Sequence, residues 1–198
     1  MSVCATRHTI ELLMVTVFVT ACGGTRRVDV SSEPPASGAS TVNVQRYLVA
    51  DADFMRNMIG HHQQAIEMAS LVPERSDSEG IALLARRIDE SQVFEIGLMR
   101  RWLAARGADG AVRHGMAGMA GMATPEQMAD LAKAENEAFD RLFLELMIRH
   151  HEGALVMLAA LSAAGGGQEL EVFQLTSHID ADQVAEIARM KRMLKNLQ

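Results

Sequence analysis

The chain has 198 residues, of which 48% are hydrophobic and only 4% aromatic, and its formal net charge is −6. A chain of this length accommodates one compact domain and a short additional segment. The apolar residues are mostly Ala, Leu, Met, Ile and Val, a composition that favours helix over strand. The negative net charge argues against a nucleic-acid partner. The 14 methionines require an explanation of their own.

Residues 1–21 have the pattern of a bacterial export signal. Arg7 precedes an apolar run at residues 9–21 that is interrupted by Glu11. The run is too short to span a bilayer as a helix but fits the apolar region of a signal peptide. It continues into Val-Thr-Ala-Cys, which resembles the lipobox of bacterial lipoproteins. We therefore expect a lipoprotein signal peptide, with an ordinary signal peptide or an uncleaved anchor as the alternatives.

Cys22 would then be acylated and become the first residue of a membrane-anchored protein in the cell envelope. Because Cys4 would be removed with the signal peptide, the mature chain would contain no free thiol. Any soft metal ligand in it would have to be methionine. Residues 22–43, rich in Ser, Gly, Pro and Thr, predict a flexible tether after the lipid, although a packed N-terminal arm is an alternative.

The remaining residues, 44–198, predict a helical domain. Pro73 should stop the first helix, Ser76 and Glu79 form a capping-box pattern for the second, and Thr124 precedes a proline as the N-cap of the third. Helices of this length with short connections predict an all-α, antiparallel four-helix bundle. The expected helices span about residues 44–71, 76–107, 125–164 and 168–197, with a loop at 108–123.

An internal repeat indicates that the bundle is a duplicated helical hairpin. Residues 54–68 match residues 143–157 at an offset of 89, sharing a Phe, two Met, an Ala and a His-His pair. Residues 92–99 match residues 183–190 at an offset of 91, and both contain Gln-x-x-Glu-Ile-x-x-Met. Repeats of this kind predict two hairpins related by approximate two-fold symmetry.

Helical periodicity places the His-His pairs on apolar faces. In the first helix, His61 falls on the stripe that contains Met58, whereas Gln64 falls on the polar face. The second helix carries Gln92 and Glu95 on its apolar stripe. The third and fourth helices repeat the arrangement with Met147, His150, His151, Gln183 and Glu186.

These buried polar residues allow two interpretations. Buried imidazoles and carboxylates are costly unless they are paired. A layer of His–Glu hydrogen bonds could therefore specify the bundle without any metal. Alternatively, Met58, His61 and His62 share one helix face and form a metal site. Imidazole suits copper, zinc and nickel, whereas thioether selects Cu(I). In that case the glutamates, with the neighbouring glutamines, would orient the histidines.

The predicted loop contains a second methionine pattern. Met116, Met119 and Met122 follow His114 at a period of three, with Gly and Ala between them. Repeated Met-x-x-Met in an exported protein resembles Cu(I)-binding segments of bacterial copper-handling proteins. A low-complexity linker with incidental methionines is the alternative. Ferritin-type di-iron binding is disfavoured because the chain has no Glu-x-x-His motif.

Together, the two His-His segments, the two Gln-x-x-Glu-Ile-x-x-Met elements and the methionine-rich loop resemble the family of domain of unknown function 305, over about residues 51–194. The resemblance implies a ferritin-like fold and copper binding, since the family includes periplasmic copper-binding proteins. Gly60 and Arg149 stand where the family often has Pro before the histidines, and Arg149 would place a cation beside the second pair. The copper ligands that the resemblance implies are Met58, His61, His62, Met147, His150 and His151, with Met116, Met119 and Met122 as a second locus.

We therefore expect an envelope protein that buffers or sequesters copper, as Cu(I) or Cu(II), by ligand exchange and without catalysis. Its partners would be the metal ion and, through the lipid, a membrane; self-association into a homo-oligomer is compatible with the pattern. A structural or interaction domain without a metal is the alternative function. A metal-dependent oxidoreductase is a third, but no nucleophile, general-base constellation or nucleotide motif supports it.

Overall fold

The structure is a computed structural model that describes residues 38–108 and 118–197, with side chains from residue 49 onward. The predicted signal peptide, Cys22 and most of the predicted tether lie outside the described residues. So do His114 and Met116 of the methionine-rich loop.

Six helices and no strands occur within the described ranges. Four of the helices are long and form the bundle, which confirms the predicted all-α fold. Among the described residues, no helix combines the length and the apolar character needed to cross a membrane. The helices are α1 (Gly38–Ser70), α2 (Val72–Arg75), α3 (Glu79–Ala105), α4 (Pro125–Lys133), α5 (Asn136–Ala163) and α6 (Leu170–Asn196).

Two of the predicted helix starts are wrong. The first helix begins at Gly38, within the stretch predicted as tether. The predicted second helix is α3, which begins at Glu79 and is capped by Ser78. Ser78 Oγ accepts a hydrogen bond from the Ile81 amide, so Ser76 is not the N-cap. Ser76 instead ends α2, a single turn that the sequence analysis did not predict.

The predicted third helix is divided into α4 and α5. Thr124 and Gln127 form the capping box at the start of α4, with Pro125 at the first helical position, as the sequence indicates. The break follows Lys133, and Asn136 has a φ of 53°. Asparagine tolerates this left-handed conformation better than most residues.

Two hydrophobic clusters show how the long helices run. Cluster 1 contains the end of α1, the start of α3, the start of α5 and the end of α6, and cluster 2 contains the opposite ends of the same helices. The sequential pairs α1–α3 and α5–α6 are therefore antiparallel hairpins, and α1 also packs antiparallel to α5. Each large side chain buried in these clusters contributes about 1.5–3 kcal/mol. Representative members are Met68, Ile81, Phe143 and Met190 in cluster 1, and Met58, Trp102, Leu161 and Ile179 in cluster 2.

A layer of polar side chains lies between the two clusters at the middle of the bundle, and is called the polar layer below. All four long helices contribute to it at equivalent positions of the two hairpins. Seven of its eight members are almost inaccessible to solvent, and Glu186 is partly exposed. The polar layer consists of His61, His62, Gln92, Glu95, His150, His151, Gln183 and Glu186.

Candidate metal centre

The two His-His pairs meet at the interface between the hairpins. His61 and His62 lie on α1, and His150 and His151 lie on α5. The rings of His61 and His150 face each other, with centroids 3.8 Å apart and an angle of 35° between their planes. Since these two residues are equivalent in the repeat, the approximate two-fold axis passes between them.

One histidine of each pair contacts a glutamate on the partner helix of its own hairpin. His62 Nε2 lies 2.7 Å from Glu95 Oε2, and His151 Nε2 lies 2.7 Å from Glu186 Oε2. When the carboxylate is ionised it can only accept a hydrogen bond, and the imidazole then donates through Nε2. The expected contact between each glutamate and a histidine is therefore present, as the spacing along the stripes predicts.

The other histidine of each pair donates to a backbone carbonyl. His61 Nε2 donates to the oxygen of Ala120 at 3.0 Å, and His150 Nε2 donates to the oxygen of His61 at 3.0 Å. A carbonyl oxygen has no proton to give, so Nε2 must carry the proton in both rings. In the neutral rings, Nδ1 is then an unprotonated lone pair.

The Nδ1 atoms of all four histidines are buried and have no hydrogen-bond partner. Buried polar atoms are almost always paired in native proteins, so four unpaired nitrogens in one layer require an explanation. A bound metal ion provides one, because neutral imidazole coordinates metals through such a lone pair. The donor atoms present therefore fit a metal that prefers nitrogen ligands.

Burial keeps the imidazoles of His61, His62 and His150 in the neutral form that binds metal. Desolvation lowers the pKa of His61 and His62 to about 3, and lowers the pKa of His150 well below its usual value. The neighbouring histidines add to the effect by electrostatic repulsion. Desolvation also raises the pKa of Glu95 to about 7. At neutral pH these three rings are therefore unprotonated at Nδ1, which leaves that nitrogen available to a metal ion.

Residues 118–123, the described end of the methionine-rich loop, dock onto the polar layer. Ala120 accepts the hydrogen bond from His61, and Met119 and Met122 on either side of it are half-buried. Gln64 holds the next part of the loop, donating to the oxygen of Ala123 at 2.9 Å and accepting from its amide at 2.7 Å. Gln64 is 7% exposed, which corrects its predicted place on the polar face.

Two glycines allow this close approach. A Cβ on Gly153 of α5 would lie 2.0 Å from the oxygen of Ala120, and a Cβ on Gly121 would lie 2.4 Å from the oxygen of Arg149. Both distances are far below van der Waals contact. Arg149 itself is exposed and donates to Gln127, so its charge points away from the polar layer. The expected cation beside the second histidine pair is thus absent.

Met58 and Met147 are fully buried, one in each hydrophobic cluster, and so lie on opposite sides of the polar layer. In the described part of the chain, no three of the four histidines bring nitrogen atoms within 4.8 Å of one another. A metal held at the histidines would therefore need a further donor, such as a methionine sulfur. The amides of Gln92 and Gln183 also reach this layer, and each has a buried oxygen without a hydrogen-bond partner.

The sequence analysis missed two residues close to the polar layer. His178 and Asp182 lie on α6, and their side chains approach Glu95. These three form the group of His, Asp and Glu donors within 4.8 Å of one another in the described residues. A His and an Asp four residues apart share a helix face, and this spacing was the available signal.

Comparisons with known proteins agree with this architecture. The sequence matches the family described as Domain of unknown function (DUF305) over residues 51–194. A DUF305 fragment from Deinococcus radiodurans is 32% identical, with a TM-score of 0.68 over 74% of this chain and 96% of that one. A candidate secreted DUF305 protein from Streptomyces coelicolor is 31% identical, with a TM-score of 0.69 over 75% of this chain and 92% of that one.

The structure is also similar to CopM in its Cu(I)-bound form, at 31% identity and a TM-score of 0.62 over 74% of this chain and 96% of that one. CopM structures with Cu(II) and with Ag show the same likeness. No protein with a curated description matches the sequence. The family match covers most of the chain, and these solved relatives share its fold at 30% identity or more. The chain therefore belongs to the DUF305 family.

Proposed function

We propose that this protein binds copper at the polar layer and buffers or sequesters it in the cell envelope. The observation that carries the proposal is the set of four buried Nδ1 atoms without hydrogen-bond partners. Their Nε2 atoms are already held by carbonyl and carboxylate oxygens, which orients the free lone pairs. Copper would be taken up and released by exchange of these ligands, without a chemical reaction.

The identity of the neighbouring donors favours copper over a harder metal. Thioether sulfur selects Cu(I), and imidazole suits copper in both oxidation states. Met58 and Met147 lie one turn before the histidines, and Met119 and Met122 flank the carbonyl bound to His61. The CopM structures with Cu(I), Cu(II) and Ag are consistent with such a donor set, because Ag and Cu(I) are both soft cations.

A purely structural polar layer is the competing explanation. Such a layer would be expected to pair both nitrogens of each imidazole, because every unpaired buried polar atom costs about 1–3 kcal/mol. Only one nitrogen of each histidine is paired here. The arrangement thus favours a bound ion over a layer that serves only to set the helix register.

The location in the envelope and the lipid anchor rest on the N-terminal sequence. The apolar run that ends at Cys22 fits a lipoprotein signal, and the Streptomyces coelicolor relative is a candidate secreted protein. An extracytoplasmic location suits the use of methionine and histidine in place of cysteine, because thiols are oxidised there.

Anaerobic Cu(I) titration of the full-length protein against a chromophoric chelator tests the copper site. We expect the Met58→Leu substitution to weaken Cu(I) binding at least about tenfold, by loss of a sulfur ligand. Met68→Leu is the matched control: it is also fully buried on α1 but lies seven residues from His61. Both are volume-conserving changes that should cost less than about 1.5 kcal/mol of stability.

The double variant His61→Gln/His150→Gln should lower the number of bound Cu(I) ions, provided that circular dichroism shows it to be helical. Unchanged stoichiometry and affinity in both this variant and Met58→Leu would refute copper binding at the polar layer. If the double variant unfolds, the comparison of Met58→Leu with Met68→Leu decides the question alone.

A further inference from the structure

Glu95 differs from its symmetry equivalent in having a second set of neighbours. Its Oε2 accepts the hydrogen bond from His62, but its Oε1 is turned toward α6 and has no hydrogen-bond partner, although the side chain is only 1% exposed. His178 Nε2 lies 3.7 Å from this oxygen. Asp182 Oδ2 lies 3.5 Å from the same nitrogen.

These separations are longer than normal hydrogen bonds, which are about 2.7–3.2 Å between N and O. They are close to the spacing of ligands around one metal ion. With metal–ligand distances of about 2.0–2.1 Å, tetrahedral Zn²⁺ places its donor atoms about 3.4 Å apart. One donor atom from each of Glu95, His178 and Asp182 lies within 4.8 Å of the other two.

We propose that Glu95, His178 and Asp182 form a second metal site, distinct from the histidine pairs, that takes a divalent first-row cation such as Zn²⁺. One imidazole and two carboxylates are a nitrogen and oxygen donor set without sulfur, which favours a divalent ion over Cu(I). Three protein ligands would leave a fourth position for water. The side chains of His178 and Asp182 are 46% and 37% exposed, so an ion can enter from solvent.

The position of His178 is supported from outside the cluster. The ring of Phe94 on α3 meets it edge to face, with centroids 6.5 Å apart. Because Phe94 immediately precedes Glu95, α3 meets the imidazole through two neighbouring residues. The site is therefore built from two helices, α3 and α6, that the bundle already fixes relative to each other.

The internal repeat supplies a natural comparison. The offset of 91 that matches Glu95 to Glu186 also matches His178 to Arg87 and Asp182 to Ser91. Arginine carries no lone pair at any accessible pH and cannot ligate a metal. The equivalent position around Glu186 therefore has Arg87 and Ser91 in place of the other two donors. Among the described residues the three donors therefore come together at Glu95 and not at Glu186, so the proposed site is not a by-product of the duplication.

The proposed site is adjacent to the proposed copper site, because Glu95 belongs to it and also accepts the hydrogen bond from His62 through Oε2. An ion bound to Oε1 would keep Glu95 ionised and its hydrogen bond to His62 in place. The inference nonetheless goes beyond copper binding and does not depend on it, since none of its three ligands is an imidazole of the histidine pairs.

Calorimetric titration of the full-length protein with Zn²⁺, compared among variants, tests the proposal. We expect His178→Gln and Asp182→Asn each to weaken Zn²⁺ binding at least about tenfold. Asp180→Asn is the matched control, since it makes the same change of charge two residues away at an exposed position of α6, and should stay within about twofold of the unsubstituted protein. Cu(I) affinity, titrated separately, should change little in all three variants.

Anomalous scattering at the zinc edge from crystals grown with Zn²⁺ should show a peak between the three side chains. The proposal is overturned if Zn²⁺ does not bind, if binding is unchanged in both variants, if Asp180→Asn weakens it equally, or if the peak lies only at the histidine pairs. Because Cu(I) and Zn²⁺ are titrated separately, loss of this proposal and loss of the copper proposal give different results.

Discussion

The histidines of the polar layer owe their properties to where each ring nitrogen points. Nε2 of His61 and of His150 faces a carbonyl oxygen, and this alone determines the tautomer. Burial then keeps the rings neutral by lowering the pKa. A surface histidine would have water at both nitrogens and would titrate near its usual pKa of about 6.5. The combination of a fixed tautomer and neutral charge leaves Nδ1 with a lone pair that is available to a metal ion.

The lowered pKa values predict that acid destabilises the metal-free protein. Between the folded pKa of about 3 for His61 and His62 and the unfolded value of 6.5, the unfolded chain binds more protons. His150 acts in the same direction. The stability these groups provide is present above about pH 6.5 and is lost as the pH falls. Glu95, with its pKa raised to about 7, stabilises the folded protein as the pH falls from 7 to 4.5. It is one group, however, and the three histidines together outweigh it.

We therefore expect the free energy of unfolding, measured by urea denaturation of metal-free protein, to fall by more than about 2 kcal/mol between pH 6.5 and 4.5. His61→Gln removes one of the three groups and should show a shallower dependence on pH. A free energy that is constant or rises on acidification would contradict the assignment of neutral buried histidines.

At the scale of the elements, helix ends and close contacts bring the loop to the polar layer. α3 ends at Ala105 and is followed by Gly107, which has a φ of 64°. The amides of Gly107 and Ala108 donate to the oxygens of Ala104 and Leu103, so the chain leaves the helix in a defined direction. The loop returns at residues 118–123 and packs backbone to backbone against α5 at Gly153. Only glycine permits that contact, because a side chain would occupy the place of the Ala120 carbonyl.

This contact predicts the effect of a single methyl group. Gly153→Ala should displace residues 118–123 from α5 and break the hydrogen bond to His61, at a cost of about 1–3 kcal/mol for the overpacking. Amide hydrogen exchange should show faster exchange at Ala123, whose amide is held by Gln64. Cu(I) affinity should fall as well, if Met119 and Met122 contribute sulfur.

Gly97→Ala is the matched control, since Gly97 is also within a long helix and its added Cβ would lie 3.4 Å from the flexible end of Arg101. There the change should be neutral or stabilising by up to about 1 kcal/mol, because alanine favours helix. Equal destabilisation by the two substitutions would show that the close contact at Gly153 is not specific.

At the scale of the whole molecule, the two hairpins of the internal repeat differ in the contacts made around their histidines and glutamates. Both supply a histidine pair and a glutamate to the polar layer, and both bury one end of each helix in each hydrophobic cluster. The loop covers His61, whereas His150 is held by the backbone of α1. His178 and Asp182 approach one glutamate only. The symmetry therefore generates the layer, and the departures from it distinguish the two halves.

The proposed lipid anchor concerns the whole protein, and it predicts a change of location when Cys22 is replaced. Cys22→Ser should leave the protein without its lipid, so that it moves from the membrane fraction to the soluble fraction of the producing bacterium. Ser32→Ala, in the predicted tether, is a control that should leave the protein with the membrane. Unchanged membrane association of the Cys22 variant would refute the lipoprotein assignment.

The local pattern of the chain was sufficient for the bundle and for most members of the polar layer. A period of 3.6 residues identified the apolar stripes that carry His61, Glu95 and His150, and the repeat identified the two hairpins, because both signals depend only on residues that are close in sequence. The caps at Thr124 and Gly107 were recognisable for the same reason.

Contacts between distant segments were decided only by the tertiary structure. The helical pattern places Gln64 on the polar face, but in the structure its amide is paired with the backbone of Ala123, 59 residues later in the chain. The approach of His178 to Glu95 depends on how α6 packs against α3, and the break before Asn136 has no counterpart in the apolar pattern. Periodicity states which face of a helix is buried, but the helix that covers this face, and the atoms that meet there, are set by the packing of the complete bundle.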